Sequence, residues 1–204
     1  MTELKVALCA HDAAKHAVMN WHYSKAMPIG KLVRHGVWED DKFIGVVLYG
    51  RGASPELGAP YGLNQTEVCE LVRVALNKHV SPVSQVMARS LELLKQTNTN
   101  LRLVVSFADP NQGHHGGIYQ ATNWVYCGRS GEAEEVLFKG KWTHSRMLRP
   151  TGWGTVPEIA RLSPDQQKAL PRRKRVGKFR YLMPLDKQIR RRVEPLRLPY
   201  PSAV

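Results

Sequence analysis

Polar and apolar positions along the chain change period several times, and each change marks an element. Leu4 to Ala10 reads as a first strand, after which Ala14, Ala17, Val18 and Trp21 place His11 to Tyr23 on a helix with one apolar face. Val33 to Trp38 and Phe43 to Tyr49 return to strand character and are joined by the acidic turn Glu39-Asp40-Asp41, which predicts a hairpin. Glu67 to Leu76 is a further strand, in which Cys69, Leu71 and the β-branched Val68, Val72 and Val74 sit beside the charged Glu70 and Arg73. Ser81-Pro82 predicts a helix start, an N-cap followed by proline at the first helical position. That helix runs to about Gln96, with Val83, Met87, Leu91 and Leu94 facing the core. Leu101, Leu103, Val104 and Val105, broken only by Arg102, give the apolar pattern of a strand covered on both faces. A short helix from Gly117 to Asn123 and strands at Trp124 to Tyr126 and Val136 to Phe138 complete the series. The order β-α-β-β-β-α-β-α-β-β predicts an α/β (α+β) domain, a mixed central sheet flanked by helices.

The run at Leu101 ends abruptly in Ser106, Asp109, Asn111, Gln112, His114 and His115, so a buried strand delivers a crowd of polar and titratable groups into a loop. Gly113, Gly116 and Gly117 add positions where backbone turns sharply or passes close to a neighbour. Asp109-Pro110-Asn111 also fits a plain turn with a helix cap, and one of the two histidines fits a satisfied core group.

Composition narrows the class. At 204 residues and 43% hydrophobic content the chain fits one sizeable soluble core plus an appendage. There is no apolar run long enough to span a bilayer and no signal-like N-terminus, which predicts a cytosolic protein without a membrane partner. Cys9, Cys69 and Cys127 are odd in number and widely spaced, as expected of reduced packing thiols. Charge is unevenly spread: Lys168 to Arg197 holds twelve cationic residues against Asp186 and Glu194, a surplus of ten out of a net +13. Arg172-Arg173-Lys174-Arg175, with Lys178 and Arg180 following, and Arg190-Arg191-Arg192 bracket an apolar piece, Phe179 to Leu185. Such clusters suit the phosphates of double-stranded DNA, with a solvated tail or an anionic membrane surface as the plainer readings. Pro150 to Pro157 reads as the junction, giving a body at 1–149 and a basic nucleic-acid-binding extension at 150–204.

The element order resembles the GNAT acyltransferase architecture, whose sheet splays between its fourth and fifth strands to admit an acyl-CoA. That resemblance implies acetyl-CoA as cofactor, held where the helix after the fourth strand begins. Here that place is Asn77 to Gln85, NKHVSPVSQ, with Lys78, Ser81 and Ser84 as candidate contacts beside His79, but it has no glycine. WHYSKAMP at 21–28, FIGVVLYGRGAS at 43–54, TEVCELVRVAL at 66–76, SFADPNQGHHGGIYQATNW at 106–124 and the PRRKRVGKFRY segment resemble the Mom family of bacteriophage proteins. The resemblance implies a GNAT-like transferase that adds a methylcarbamoyl group to the N6 amine of adenine in duplex DNA, within the cytoplasm of the infected host, shielding phage DNA from restriction.

An enzyme acting on that amine must extrude the base and grip it. Substrate-binding candidates are His22, Tyr23, His114, His115, Tyr119 and Trp124, with Trp21 and Tyr49 as further aromatic faces, although several fit a core role equally. The amine must lose a proton as it reacts, for which Asp109 ranks first and Glu70 or a histidine follows. Arg73 and Ser106 suit the stabilisation of developing negative charge, and Tyr49 suits orienting substrate or donating a proton. Glu70 with Arg73 fits an intrasheet ion pair equally well. A methylcarbamoyl group carries a nitrogen that acetyl transfer does not supply, which invites a further step. His22, Glu70, His114 and His115 are ligands suited to iron or another first-row metal, though without a metal-binding spacing. Acetylation of a protein, RNA or small-molecule amine, and DNA binding without catalysis, stay open as alternatives, as does a homodimer.

Overall fold

The computed structural model describes residues 2–148 and 157–202, so the expected junction, Pro150 to Pro157, lies outside the described residues except for Pro157. The strands are β1 Leu4–Leu8, β2 Leu32–Glu39, β3 Lys42–Gly50, β4 Val68–Leu76, β5 Leu103–Ala108, β6 Val125–Arg129, β7 Ala133–Phe138, β8 Lys141–His144, β9 Arg172–Arg175 and β10 Phe179–Pro184. The helices are α1 His11–Trp21, α2 Val83–Thr97, α3 Gly117–Gln120, α4 Pro157–Ala160, α5 Pro164–Lys168 and α6 Lys187–Val193. Two compact units result. One comprises Met1–Ala108, His115–Gly128 and Phe179–Val204, and the other Asp109–His114 and Arg129–Lys178.

The first unit is built on a seven-stranded sheet of order β1-β2-β3-β4-β5-β10-β6. Strands β1 to β4 are successive antiparallel neighbours, and β4 pairs with β5 in parallel. Alternation along the strands sends Val46, Leu48 and Ala75 to one face, against Ala14, Ala17 and Val18 of α1. Val47, Tyr49, Leu71 and Val104 go to the other, against Val86, Met87, Leu91 and Leu94 of α2. Farther along, Leu103, Val105 and Leu182 pack with Ile189 and Val193 of α6. Ser81 does not cap α2: the residue before the helix is Pro82, and no side chain caps it.

The second unit holds a three-stranded sheet of order β8-β7-β9. Because β10 returns to the seven-stranded sheet between β5 and β6, these strands are an insertion. The compact units therefore do not divide at 149/150: the basic C-terminal segment is shared, with β9 in the insertion and β10 and α6 in the main unit.

Candidate functional site

Two irregularities in β4 shape the site. Opposite β3, Leu48 pairs with Arg73 and Tyr49 with Leu71, so Val72 is an extra residue and β4 bulges there, which re-aims the side chains that follow. Opposite β5, pairing runs from Val68 with Leu103 to Leu71 with Ser106 and stops, while β4 continues to Leu76. The strands part at this point, as the resemblance to a splayed sheet implies. Ser106 pins the parting: its buried Oγ donates to the Leu71 carbonyl at 2.9 Å and is hydrogen-bonded to Tyr119 Oη at 2.8 Å. Both groups are thereby spent on structure.

Beyond the pin lies a charged cluster. Arg73 Nη1 donates to the Val72 carbonyl at 2.6 Å, whereas its Nε is buried with no hydrogen-bond partner among the described residues. Burial pulls the guanidinium below its ordinary range, while Tyr23 and Glu70 work the other way, which places both near it. Burial also pushes the Tyr119 hydroxyl up to about 12, opposed by its bond to Ser106 and reinforced by Tyr23 and Glu70. Glu70 packs against bare backbone: Gly52 has φ +81°, and a Cβ there would stand 3.0 Å from Glu70 Oε2. Tyr23, 54% exposed, offers the open aromatic face of the cluster and packs on the His22 ring at 4.3 Å. The Ser24 amide donates to His22 Nδ1 at 3.0 Å, which leaves the ring proton on Nε2. The structure thus brings Tyr23, Glu70, Arg73, Ser106 and Tyr119 together and sets His22 beside Tyr23.

Several expected site residues take other roles. Tyr49 is 1% exposed and its hydroxyl bonds Ser90 Oγ at 2.8 Å, so it does not face a cleft. Trp124 is fully buried against Tyr119, 4.9 Å between ring centroids, and is core rather than a base clamp. Asp109 belongs to the inserted unit, where it caps the turn Pro110–Gln112 by accepting from Asn111 N at 3.0 Å and pairs with Arg175 and, at 3.8 Å, Lys178. Burial alone would raise its carboxyl, but the Asn111 hydrogen bonds and the Lys178 and Arg175 charges outweigh it and hold the group below its ordinary value. Asp109 therefore takes the cap role that its turn sequence also suits. His114 is exposed in the same turn and its amide donates to the Asp109 carbonyl. His115 contributes its carbonyl, which accepts from Tyr181 Oη at 2.5 Å; Gly116 follows at φ +91°, where a Cβ would stand 2.4 Å from the Tyr181 ring.

The basic residues also separate. In the insertion β9 lies antiparallel to acidic β7, pairing Arg172 with Glu134 (2.6 Å) and Arg173 with Glu135 (2.7 Å), and Arg175 joins Glu135 (3.1 Å) to Asp109. Lys174 reaches Glu132 at 3.6 Å, and Arg173 stacks over Trp142 at 4.3 Å. Each cation of this run thus has a carboxylate beside it. In the main unit, Arg180 lies beside the Tyr61 hydroxyl, Arg190 meets Glu194 at 3.5 Å, and Arg192 donates to the Tyr61 carbonyl at 2.7 Å. Lys187 and Arg191, one turn apart on α6, are exposed.

The turn before α2 holds a carboxylate of the chain's own. Lys78 is exposed at φ +46°, and the amides of Val80 and Ser81 both donate to Glu39. Ser84 instead lines a cavity of about 380 Å³ with Gln85, Ala88, Leu91, Ala121, Thr122 and Met183. Among the described residues no three His, Cys, Asp or Glu side chains are grouped to hold a metal ion, and no helix is long and apolar enough to cross a membrane. Burial raises all three thiols, Cys69 to about 12, which suits packing residues.

The sequence pattern did not point to His35, Glu39, Ser90, Glu135 or Tyr181, whose partners lie far along the chain. His35 Nδ1 meets Ser90 Oγ at 2.9 Å in a buried network with Tyr49, which joins β2 and β3 to α2.

Comparison with known proteins bears on the fold and the lineage. An acetyltransferase from Bacillus subtilis in complex with CoA superposes at a TM-score of 0.50, with 10% identity, over 91% of this chain and 100% of that one. An N-acyl amino acid synthase from uncultured soil microbes, FeeM, gives 0.49 at 12% identity over 94% of each chain. The fold is that of the GNAT acetyltransferases. In sequence, the methylcarbamoylase Mom of Escherichia phage Mu is 24% identical over 195 residues, covering 94% of this chain and 79% of the relative. Residues 3–202 match the Mom protein family, and to that family this chain belongs.

Proposed function

We propose that this chain is a transferase that adds a methylcarbamoyl group to the N6 amine of adenine in double-stranded phage DNA, acting in the cytoplasm of an infected bacterium and protecting the DNA from restriction. The acceptor and the group come from likeness to the phage Mu methylcarbamoylase. The observation that carries a transfer reaction at this place is the unspent Nε–H of Arg73, buried beside Glu70 where β4 and β5 part. A buried donor without an acceptor is costly, by about 1–3 kcal/mol, and where strands part a ligand can supply the acceptor. A transferred carbonyl, gaining negative charge as the amine attacks, is such an acceptor.

In this reading the adenine swings out of the duplex and its face rests on Tyr23. Its N6 forms a bond to the carbonyl carbon of the donor, the donor's leaving group departs with its bonding electrons, and Glu70 takes the amine proton. Ser106 and Tyr119 hold the strands apart rather than react. Lys187 and Arg191 contact phosphate, with Arg190 and Arg192 supporting α6. The donor is an activated acyl compound; the fold supports an acyl-CoA, yet an acetyl group lacks the nitrogen of the product, and the turn at 77–85 does not fit a diphosphate as it stands. No step is assigned to a metal.

The neutralised run at 172–175 favours a second reading, a GNAT enzyme acting on an amine outside DNA. Expression in bacteria, digestion of co-resident plasmid to nucleosides and mass analysis separate the two. A heavier deoxyadenosine that disappears with Arg73→Lys supports the first, and unmodified DNA from folded protein supports the second.

A further inference from the structure

The turn leading into α2 already holds an anion of the chain's own. Glu39, the last residue of β2, is 6% exposed and reaches across to residues about forty positions away. Its carboxylate accepts from Val80 N at 3.1 and 3.0 Å and from Ser81 N at 2.6 Å. Those bonds hold its carboxyl below the ordinary range, chiefly through Val80, which is the signature of a charge seated in amide donors.

Three further observations agree. The residue before α2 is Pro82, which has no amide hydrogen, and the turn has no glycine that would let backbone wrap a phosphate. Lys78 sits at φ +46°, with its side chain exposed. The cavity that begins at Ser84 is lined by small, apolar and neutral polar residues without a cation. An amide N–H serves one strong acceptor, and a seated carboxylate repels a second anion.

We propose that Glu39 is the resident anion of the β4–α2 turn, so that this enzyme does not hold its acyl donor by a diphosphate there. Donor specificity then falls to contacts with the acyl end and its carrier arm, and Glu39 is a specificity-determining residue that acts through the amides of Val80 and Ser81. The inference concerns the donor side of the transferase proposed above and rests on that reading. Its test involves neither DNA nor turnover, so its failure leaves the adenine assignment standing.

The full chain is titrated calorimetrically with CoA, pantetheine and inorganic pyrophosphate, as wild type and as Glu39→Ala. The wild type is expected to bind CoA within about threefold of pantetheine and to show no heat with pyrophosphate. Glu39→Ala is expected to gain about tenfold or more for CoA and pyrophosphate and nothing for pantetheine. If Glu39→Ala does not fold, Glu39→Gln removes the charge while keeping an acceptor, and a gain of about threefold for pyrophosphate is expected. Wild-type preference for CoA over pantetheine by more than about tenfold overturns the proposal, as does a folded variant that gains nothing for pyrophosphate.

Discussion

In the inserted three-stranded unit almost every charge of the basic run meets an opposite one: Arg172, Arg173, Lys174 and Arg175 lie along Glu132, Glu134 and Glu135, and Asp109 closes the series. At the parted strands of the seven-stranded unit the reverse holds, and a buried guanidinium N–H is left without an acceptor. Charge satisfied within the chain contributes to folding, while a donor left over is available to a ligand. Local density of charge in the sequence does not distinguish the two; the number of carboxylates that topology brings alongside does.

Arg73→Lys keeps the charge and removes the Nε–H, and is expected to lower DNA modification about a hundredfold with little change in thermal stability. A variant of normal activity breaks the contrast. Glu135→Gln strips the shared partner of Arg173 and Arg175 and is expected to destabilise the inserted unit by about 3 kcal/mol in urea unfolding. Asp109→Asn loses an ion pair but keeps a cap, costing about 2 kcal/mol, and the modified nucleoside should persist in plasmid from cells that still hold folded protein. The depressed carboxyl of Asp109 also sets a sign: its contribution is complete above the unfolded value of about 3.9 and is lost as pH falls through the lower native one. Replacing Lys187 and Arg191 together by Ala should weaken duplex binding and flatten its salt dependence by about two in log–log slope, against about one or less for Arg172 with Lys174, as read by fluorescence anisotropy.

The smallest effect concerns His35. Burial brings its imidazole down to about 4, against about 6.5 for an exposed histidine, so the fold keeps it neutral. Stability is therefore full above about 6.5 and falls as pH drops from there toward 4, by about 1 kcal/mol at pH 5 after allowance for relaxation. Thermal melts of wild type and His35→Gln across that range measure it, with the variant flatter.

What the sequence showed depended on how local the cause was. Strands β3, β4 and β5 and helix α2 were legible because their apolar periods are carried by adjacent residues such as Val46, Val47 and Leu48. Gly113 and Gly116 were legible as turn positions, and both have positive φ. Strand β9 was not, since four consecutive cations have no apolar period and their strand character exists only against the acidic residues of β7. Charge complementarity between GEAEEV and RRKR is the signal that finds it. Glu70 and Arg73 were legible as a pair of charges in a buried strand, whereas the Arg73 orphan depends on the bulge at Val72 and on where β5 stops pairing. Asp109 reads alike as cap and as base in the sequence because a strand-end carboxylate suits both, and its partner Arg175 lies far along the chain. Glu39 looked like part of a hairpin turn for the same reason, its partners lying far along the chain.

The place of β10 between β5 and β6 has a consequence for how the protein is made. A nascent chain leaves the ribosome with β5 and β6 complete, yet the strand that joins them emerges only after the whole insertion has been synthesised. Until Phe179–Pro184 arrives, two strand edges stay open, and loop closure over the intervening residues makes that last pairing slow. The strands of the insertion pair among themselves and need no contribution from β10. A chain cut before Phe179 would therefore lack the strand that joins β5 to β6 and leave both edges open to aggregation.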